Sequence, residues 1–399
     1  MIYNYPIAAV SAAAFYAFLV LLFFRPIRAH VLPILAHPVP PHQQYVRGFD
    51  SIRGLAAAYV ALSHFWYFTY PVFDVSRTEL APFLAYGSKA VPIFCALSGF
   101  LIYRAALGIG SIDTLRAYIV RRLFRIYPVY VVSALLALLF GQYVARFGST
   151  AFAFAVGELF MFNPIGFQPM ANPATWSLYI EVVFYALMPM FVILVRRERV
   201  LFVASALFVL MVIAYSPNRV FGLWKYFLVG IVASELSDRI RSAWIAAAVS
   251  GAGLVLLLFD IFGPRFDWAA HLHLMPEDIT GFTLGLALGI GGILSGLPLL
   301  KRAGQMLDAA PLRVLGAISY SLFLIHPFYL MANFPELGVL SEFQGFPTKG
   351  LLAPIWYLPL VFFPGLVAWS IVVFLLFERP GIKLGARLIK RNSRREAGG

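Results

Sequence analysis

Charge is scarce in this chain: only 12% of its 399 residues are Asp, Glu, Lys or Arg, while 61% are hydrophobic and the mean hydropathy is +0.83. A soluble globule carries about twice that share of charge, so the composition excludes one, and it excludes a disordered chain for the same reason. Cysteine is scarcer still. The single Cys95, set in an apolar run, excludes an intramolecular disulfide framework and a Cys-based zinc site. The fingerprints of soluble nucleotide and hydrolase chemistry are missing too. Gly108-Ile109-Gly110 lacks the third glycine of a dinucleotide loop, and Ser98-Gly99 lacks the glycine that a nucleophile elbow places two positions before its serine. His271 and His273 stand near Asp267, Glu277 and Asp278, but with no Glu-x-x-His or paired-Cys pattern they read as a solvated loop, and no metal is expected.

What the chain does have is long apolar runs. Stretches of membrane-crossing length occur at about 7–24, 51–70, 81–103, 127–145, 176–195, 200–215, 223–236, 243–262, 279–299, 314–331 and 351–377, eleven in all. The segment 151–162 is too short to cross and ends at Asn163-Pro164, so it reads as re-entrant or interfacial. Loops on alternate sides of these spans differ sharply in basic residues, 24 of the 31 Lys and Arg falling on one side and seven on the other. By the positive-inside bias the richer side is cytoplasmic, so the net charge of +13 reports topology and calls for no nucleic-acid partner. The first run has no basic stretch before it and is followed by Arg25 and Arg28, which reads as an anchor rather than a cleaved signal. The expected organisation is an N-terminal anchor helix and cytoplasmic linker (1–46), one membrane domain (47–381) and a basic cytoplasmic tail (382–399). Gly281, Gly285 and Gly289, followed by Gly292 and Gly296, give the ninth span a small-residue face for close helix packing.

Ionisable groups inside the runs carry most of the functional information, because each costs at least about 2.5–3.5 kcal/mol at mid-membrane. His64, Glu158, Glu181 and His326 stand out. At the rise of an α-helix, His64 lies about 16 Å beyond Arg53 and His326 about 19 Å beyond Arg313. Glu181, on an inward-running span, reaches a similar depth, so three titratable side chains from three helices converge near the midplane. Closer to the cytoplasmic end, Arg121-Arg122-Leu123-Phe124-Arg125 puts arginines on one helical face by spacings of three and four. Arginine's planar fork suits bidentate phosphate contacts.

These pieces also form an ordered set. Arg53-Gly54-Leu55-Ala56-Ala57 with His64 eleven residues after the arginine resembles the first-helix signature of the acyltransferase-3 family, membrane enzymes that O-acylate envelope carbohydrates and some small molecules. Val91-Pro92-Ile93-Phe94-Cys95-Ala96-Leu97-Ser98-Gly99-Phe100 is similar to its second-helix motif, with Cys95 where an aromatic is commoner. The arginine motif, Thr175-Trp176-Ser177-Leu178-Tyr179-Ile180-Glu181, the stretch Ile318-Ser319-Tyr320-Ser321-Leu322-Phe323-Leu324-Ile325-His326-Pro327 and Phe377-Glu378-Arg379-Pro380 follow in the family's order over about 47–381.

The resemblance implies an all-α integral membrane protein, a ten-helix bundle here preceded by one extra N-terminal span. It also implies an acyl-coenzyme A donor, with acetyl-CoA the family-level expectation, entering from the cytoplasm. The acceptor would be a carbohydrate or lipid-linked glycan at a bacterial inner (plasma) membrane, with membrane lipids the other partner. Many members append an esterase-like domain, and none is expected within this chain. On this reading Arg121, Arg122 and Arg125 hold the phosphates with Arg53 assisting, and His64 ends the path as general base, with Glu181 orienting it or stabilising its cation. A covalent acyl-histidine fits the same residues. Ser98, Trp176 and His326 are additional candidates. The alternative reading of buried His and Glu is a proton-coupled transporter or flippase, although matched broken helices in two halves are not evident.

Overall fold

The computed structural model describes residues 6–22, 24–35, 46–69, 87–141, 148–159, 172, 174–197, 223–262, 284–333 and 358–396, and every regular element among them is helical. The chain begins with α1 (Pro6–Leu21) and α2 (Arg25–Leu35). α1 lies along the last membrane helix, where Trp369 Nε1 donates to Ser11 Oγ at 3.0 Å and Tyr16 Oη to the Leu360 carbonyl at 2.8 Å. The stretch expected as plain linker therefore starts as an 11-residue helix. Pro26 occupies its first turn, where a missing N–H costs nothing, whereas Pro33 lies inside the helix and cannot donate to the Ala29 carbonyl.

Next come α3 (Phe49–Thr69), α4 (Ala90–Leu107) and α5 (Ile112–Leu139), the last opened by a capping box between Ser111 and Thr114. α6 (Ala151–Leu159) has nine residues, so at about 14 Å it cannot cross a hydrocarbon core of about 30 Å. Its C-terminal carbonyls are orphaned by its brevity and are met by α5: Tyr127 Oη donates to the Leu159 carbonyl at 2.9 Å and Tyr130 Oη to that of Glu158 at 2.5 Å. α7 (Thr175–Arg197) is preceded by the buried Asn172, whose Nδ2 donates to Ser133 Oγ at 2.6 Å and to the Leu324 carbonyl at 2.9 Å.

α8 (Trp224–Arg239), α9 (Ala243–Phe262) and α10 (Leu284–Gly296) form the next group. The small-residue face acts as the sequence suggests: a Cβ added at Gly289 would stand 2.8 Å from the Leu257 backbone nitrogen, so α9 and α10 touch backbone to backbone. Gly281 lies outside the described residues. α11 (Lys301–Leu307) turns 105° from the helix before it, and α12 (Ala310–Ala317) meets α13 (Ser319–Asn333) at 67°. α14 (Phe363–Val373) sits between π-helical stretches, Leu358–Phe362 and Phe374–Glu378, and continues as α15 (Arg379–Glu396).

This is an all-α integral membrane protein. Five helices among the described residues are long and apolar enough to cross, or seven if each bent pair is one span. The eleven spans read from the sequence are not confirmed. The run at 200–215 lies outside the described residues, α1 is short, and α3, though 21 residues long, carries Asp50, Arg53 and His64.

Candidate active site

α3, α4, α5, α7, α8 and α13 line a cavity with about 830 Å³ of unfilled space, part of it open to solvent. Among the described residues its charged lining is Arg53, Arg122 and Arg125 against the single carboxylate Glu181, so the cavity favours an anion. Arg53, in the first turns of α3, is fixed in place: Nε donates to Ser319 Oγ at 3.0 Å, and Nη2 to Asp50 Oδ1 at 2.9 Å and to the Gly316 carbonyl at 3.4 Å. That reach requires Gly54 and Gly316, where any side chain would collide with the facing backbone of α12 or α3. Arg122 lies over the rings of Tyr118 and Tyr185, at 5.8 and 5.4 Å, a cation–π clamp on its flat face. Glu181 accepts hydrogen bonds from Ser98 Oγ at 2.7 Å and from Tyr185 Oη. Tyr320, also in the lining, donates to the Ile126 carbonyl at 3.1 Å and ties α13 to α5.

Behind this cavity sit two histidines. His64 Nδ1 and His326 Nε2 are 2.7 Å apart, with ring centroids 5.0 Å apart and planes inclined by 30°. His326 is 0% exposed, and its Nδ1 lies 2.6 Å from the Phe323 carbonyl. The cavity lining includes neither histidine. It includes instead Phe94 and Phe323, whose rings meet at 5.6 Å, and Phe323 packs at 5.9 Å on His326. An aromatic wall thus separates the arginines from the histidines.

Arg53, Arg122, Arg125, Glu181 and Ser98, all named from the sequence, meet in the cavity, and His64 and His326 meet beside it. Arg121 is exposed on the outside of α5 and Trp176 is 37% exposed, and neither lines the cavity. Glu181 was expected against His64, but its hydrogen bonds come from Ser98 and Tyr185. Sequence reasoning passed over Tyr185, Ser319, Tyr320 and Phe323. Glu181 and Tyr185 are spaced i, i+4 on one helix face, a usable signal, and the other three lie inside a motif quoted for its histidine. His271 and His273 lie outside the described residues, among which no group of three potential metal ligands comes together.

Compared with known proteins, residues 46–379 match the acyltransferase domain of the acyltransferase-3 family. The chain is 26% identical over 363 residues to a protein of Komagataeibacter xylinus named "Putative membrane-bound transacylase BcsY", a match covering 84% of this chain and 83% of that one. No solved structure matches.

Proposed function

Because the chain belongs to the acyltransferase-3 family and is a membrane acyltransferase, we propose that it moves an acyl group, acetyl in the first instance, from acyl-coenzyme A to a hydroxyl of a cell-envelope carbohydrate or lipid-linked glycan. The observation that carries the donor assignment is the cavity of three arginines against one carboxylate. Coenzyme A presents a diphosphate and a ribose phosphate, and the guanidinium fork is matched to such groups. Arg122 and Arg125 hold phosphate and Arg53 assists, while Arg121, which faces away from the cavity, has no part in holding the donor there. Glu181 holds the Ser98 and Tyr185 hydroxyls and balances part of the arginine charge.

The thioester then passes the Phe94–Phe323 wall to His64. A neutral imidazole, with one ring nitrogen free to accept, suits proton removal from a hydroxyl. The acceptor oxygen adds to the thioester carbonyl as His64 Nε2 takes its proton. The adduct collapses with cleavage of the C–S bond, and the same proton passes to the departing sulfur, which yields ester and coenzyme A thiol. The donor enters from the cytoplasm of a bacterial inner membrane, a placement supported by the 24-to-seven bias of basic residues.

The test is transfer of label from radioactive acetyl-coenzyme A into envelope glycans in membrane vesicles, with the acceptor identified by a gain of one acetyl mass. Vesicles with the wild-type protein are expected to transfer label, and those with His64→Ala to fail at equal protein level. Activity of His64→Ala within about threefold of wild type would remove the base assignment, since general base catalysis contributes about 10²–10⁴-fold.

A further inference from the structure

The contact between the two histidines extends this reading and rests on it: we infer that His326 is the positioning residue of the site, holding His64 in the one tautomer that leaves Nε2 as the base. The assignment runs outward from the backbone of α13. A helical carbonyl ordinarily accepts from the N–H four residues on, but the residue four after Phe323 is Pro327, which has no N–H. The Phe323 carbonyl is therefore left for another donor, and His326 Nδ1 sits 2.6 Å from it. A carbonyl only accepts, so the proton of neutral His326 resides on Nδ1 and its lone pair on Nε2. That lone pair faces His64 Nδ1 at 2.7 Å, so His64 donates from Nδ1 and carries its own lone pair on Nε2.

Base, buried imidazole and carbonyl thus form one chain of hydrogen bonds with a single direction, and Pro327 is what leaves the carbonyl at its end open to His326. The two ring planes are inclined by only 30°, and the inner ring is 0% exposed, so neither its tautomer nor its angle is left to solvent. When His64 Nε2 takes the hydroxyl proton, Nδ1–H still donates to His326, now as a charge-assisted bond that is stronger than before. His326 touches neither substrate in this scheme and acts only through His64.

The experiment measures release of coenzyme A thiol from acetyl-coenzyme A in vesicles from the producing cells, for wild type, His64→Ala, His326→Ala, His326→Gln and Pro327→Ala. His326→Ala is expected to lower kcat by about 100-fold while KM for acetyl-coenzyme A stays within about threefold, because the arginine cavity is untouched. His326→Gln, whose side-chain carbonyl still accepts from His64, is expected to return to within about tenfold of wild type. Pro327→Ala restores a competing N–H to the Phe323 carbonyl and is expected to raise thermal stability yet lower kcat, a combination that a merely structural residue would not give. If His64→Ala is inactive while His326→Ala keeps full kcat, or Gln is no better than Ala, or Pro327→Ala leaves kcat unchanged, the positioning role is overturned and the base assignment stands. If His64→Ala itself is active, the base assignment falls as well.

Discussion

Arg122 is held by its face, between two tyrosine rings, and that contact uses none of its N–H donors. Lysine in its place loses both the stack and the planar fork. Arg122→Lys is therefore expected to raise KM for acetyl-coenzyme A about tenfold with kcat little changed, since one charge-assisted hydrogen bond contributes about 1.5–3 kcal/mol. The double variant Arg122→Ala/Arg125→Ala is expected to be weaker again but restored by high donor concentration; kinetics in which saturating acetyl-coenzyme A restores nothing would show that the arginines act in chemistry or topology. At this scale the sequence named residues that the structure brings together, but not which of them pair. Counting residues from Arg53 and Arg313 placed His64 and His326 at similar depth, and they are in contact. The same counting placed Glu181 with them, yet it bonds Ser98 and Tyr185. Rise along a helix fixes depth, whereas the direction a side chain faces depends on how each helix is rotated against its neighbours, and one sequence carries little of that.

The helices themselves were legible wherever apolarity or small residues marked them. The glycine face of α10 is one case, and it gives a paired test. Gly289→Leu forces a side chain onto the Leu257 backbone and is expected to cost about 1–3 kcal/mol, read as a lower midpoint in thermal unfolding in detergent. Gly251 on α9 has nothing within 4 Å of an added Cβ, so Gly251→Ala is expected to stay within about 0.5 kcal/mol of wild type. Equal midpoints for the two variants would mean that α9 and α10 do not pack through this face. α2 was hidden because its prolines look like punctuation until their position in the turn is known. α6 was visible as a short apolar segment, but the tyrosines that make its buried end tolerable sit more than 20 residues earlier on α5, a separation no local pattern bridges.

Across the whole molecule, donor access depends on sidedness. α15 carries Arg379, Lys383, Arg387, Lys390, Arg391, Arg394 and Arg395 directly after the last apolar stretch. A fluorescent protein that folds only in the cytoplasm, fused after Gly399, is therefore expected to glow, and an exported reporter enzyme at the same site to stay silent. The reverse would place the arginine cavity away from the cytoplasmic coenzyme A pool and overturn the donor assignment, although family membership would stand. The wall of Phe94 and Phe323 bears on a different risk. If, as proposed, the charged hollow takes its donor from one side and hydroxyl protons are handled beyond it, the protein would come close to being a leak. On the proposed function, the two rings would keep the hollow apart from the histidine pair between turnovers. Phe323→Ala keeps the backbone carbonyl that His326 uses but removes one of the two rings. It is expected to release coenzyme A thiol in the absence of acceptor and, in sealed vesicles, to speed the decay of an imposed pH gradient; on the proposed function, one pair of rings would then serve both the economy of the donor and the tightness of the membrane.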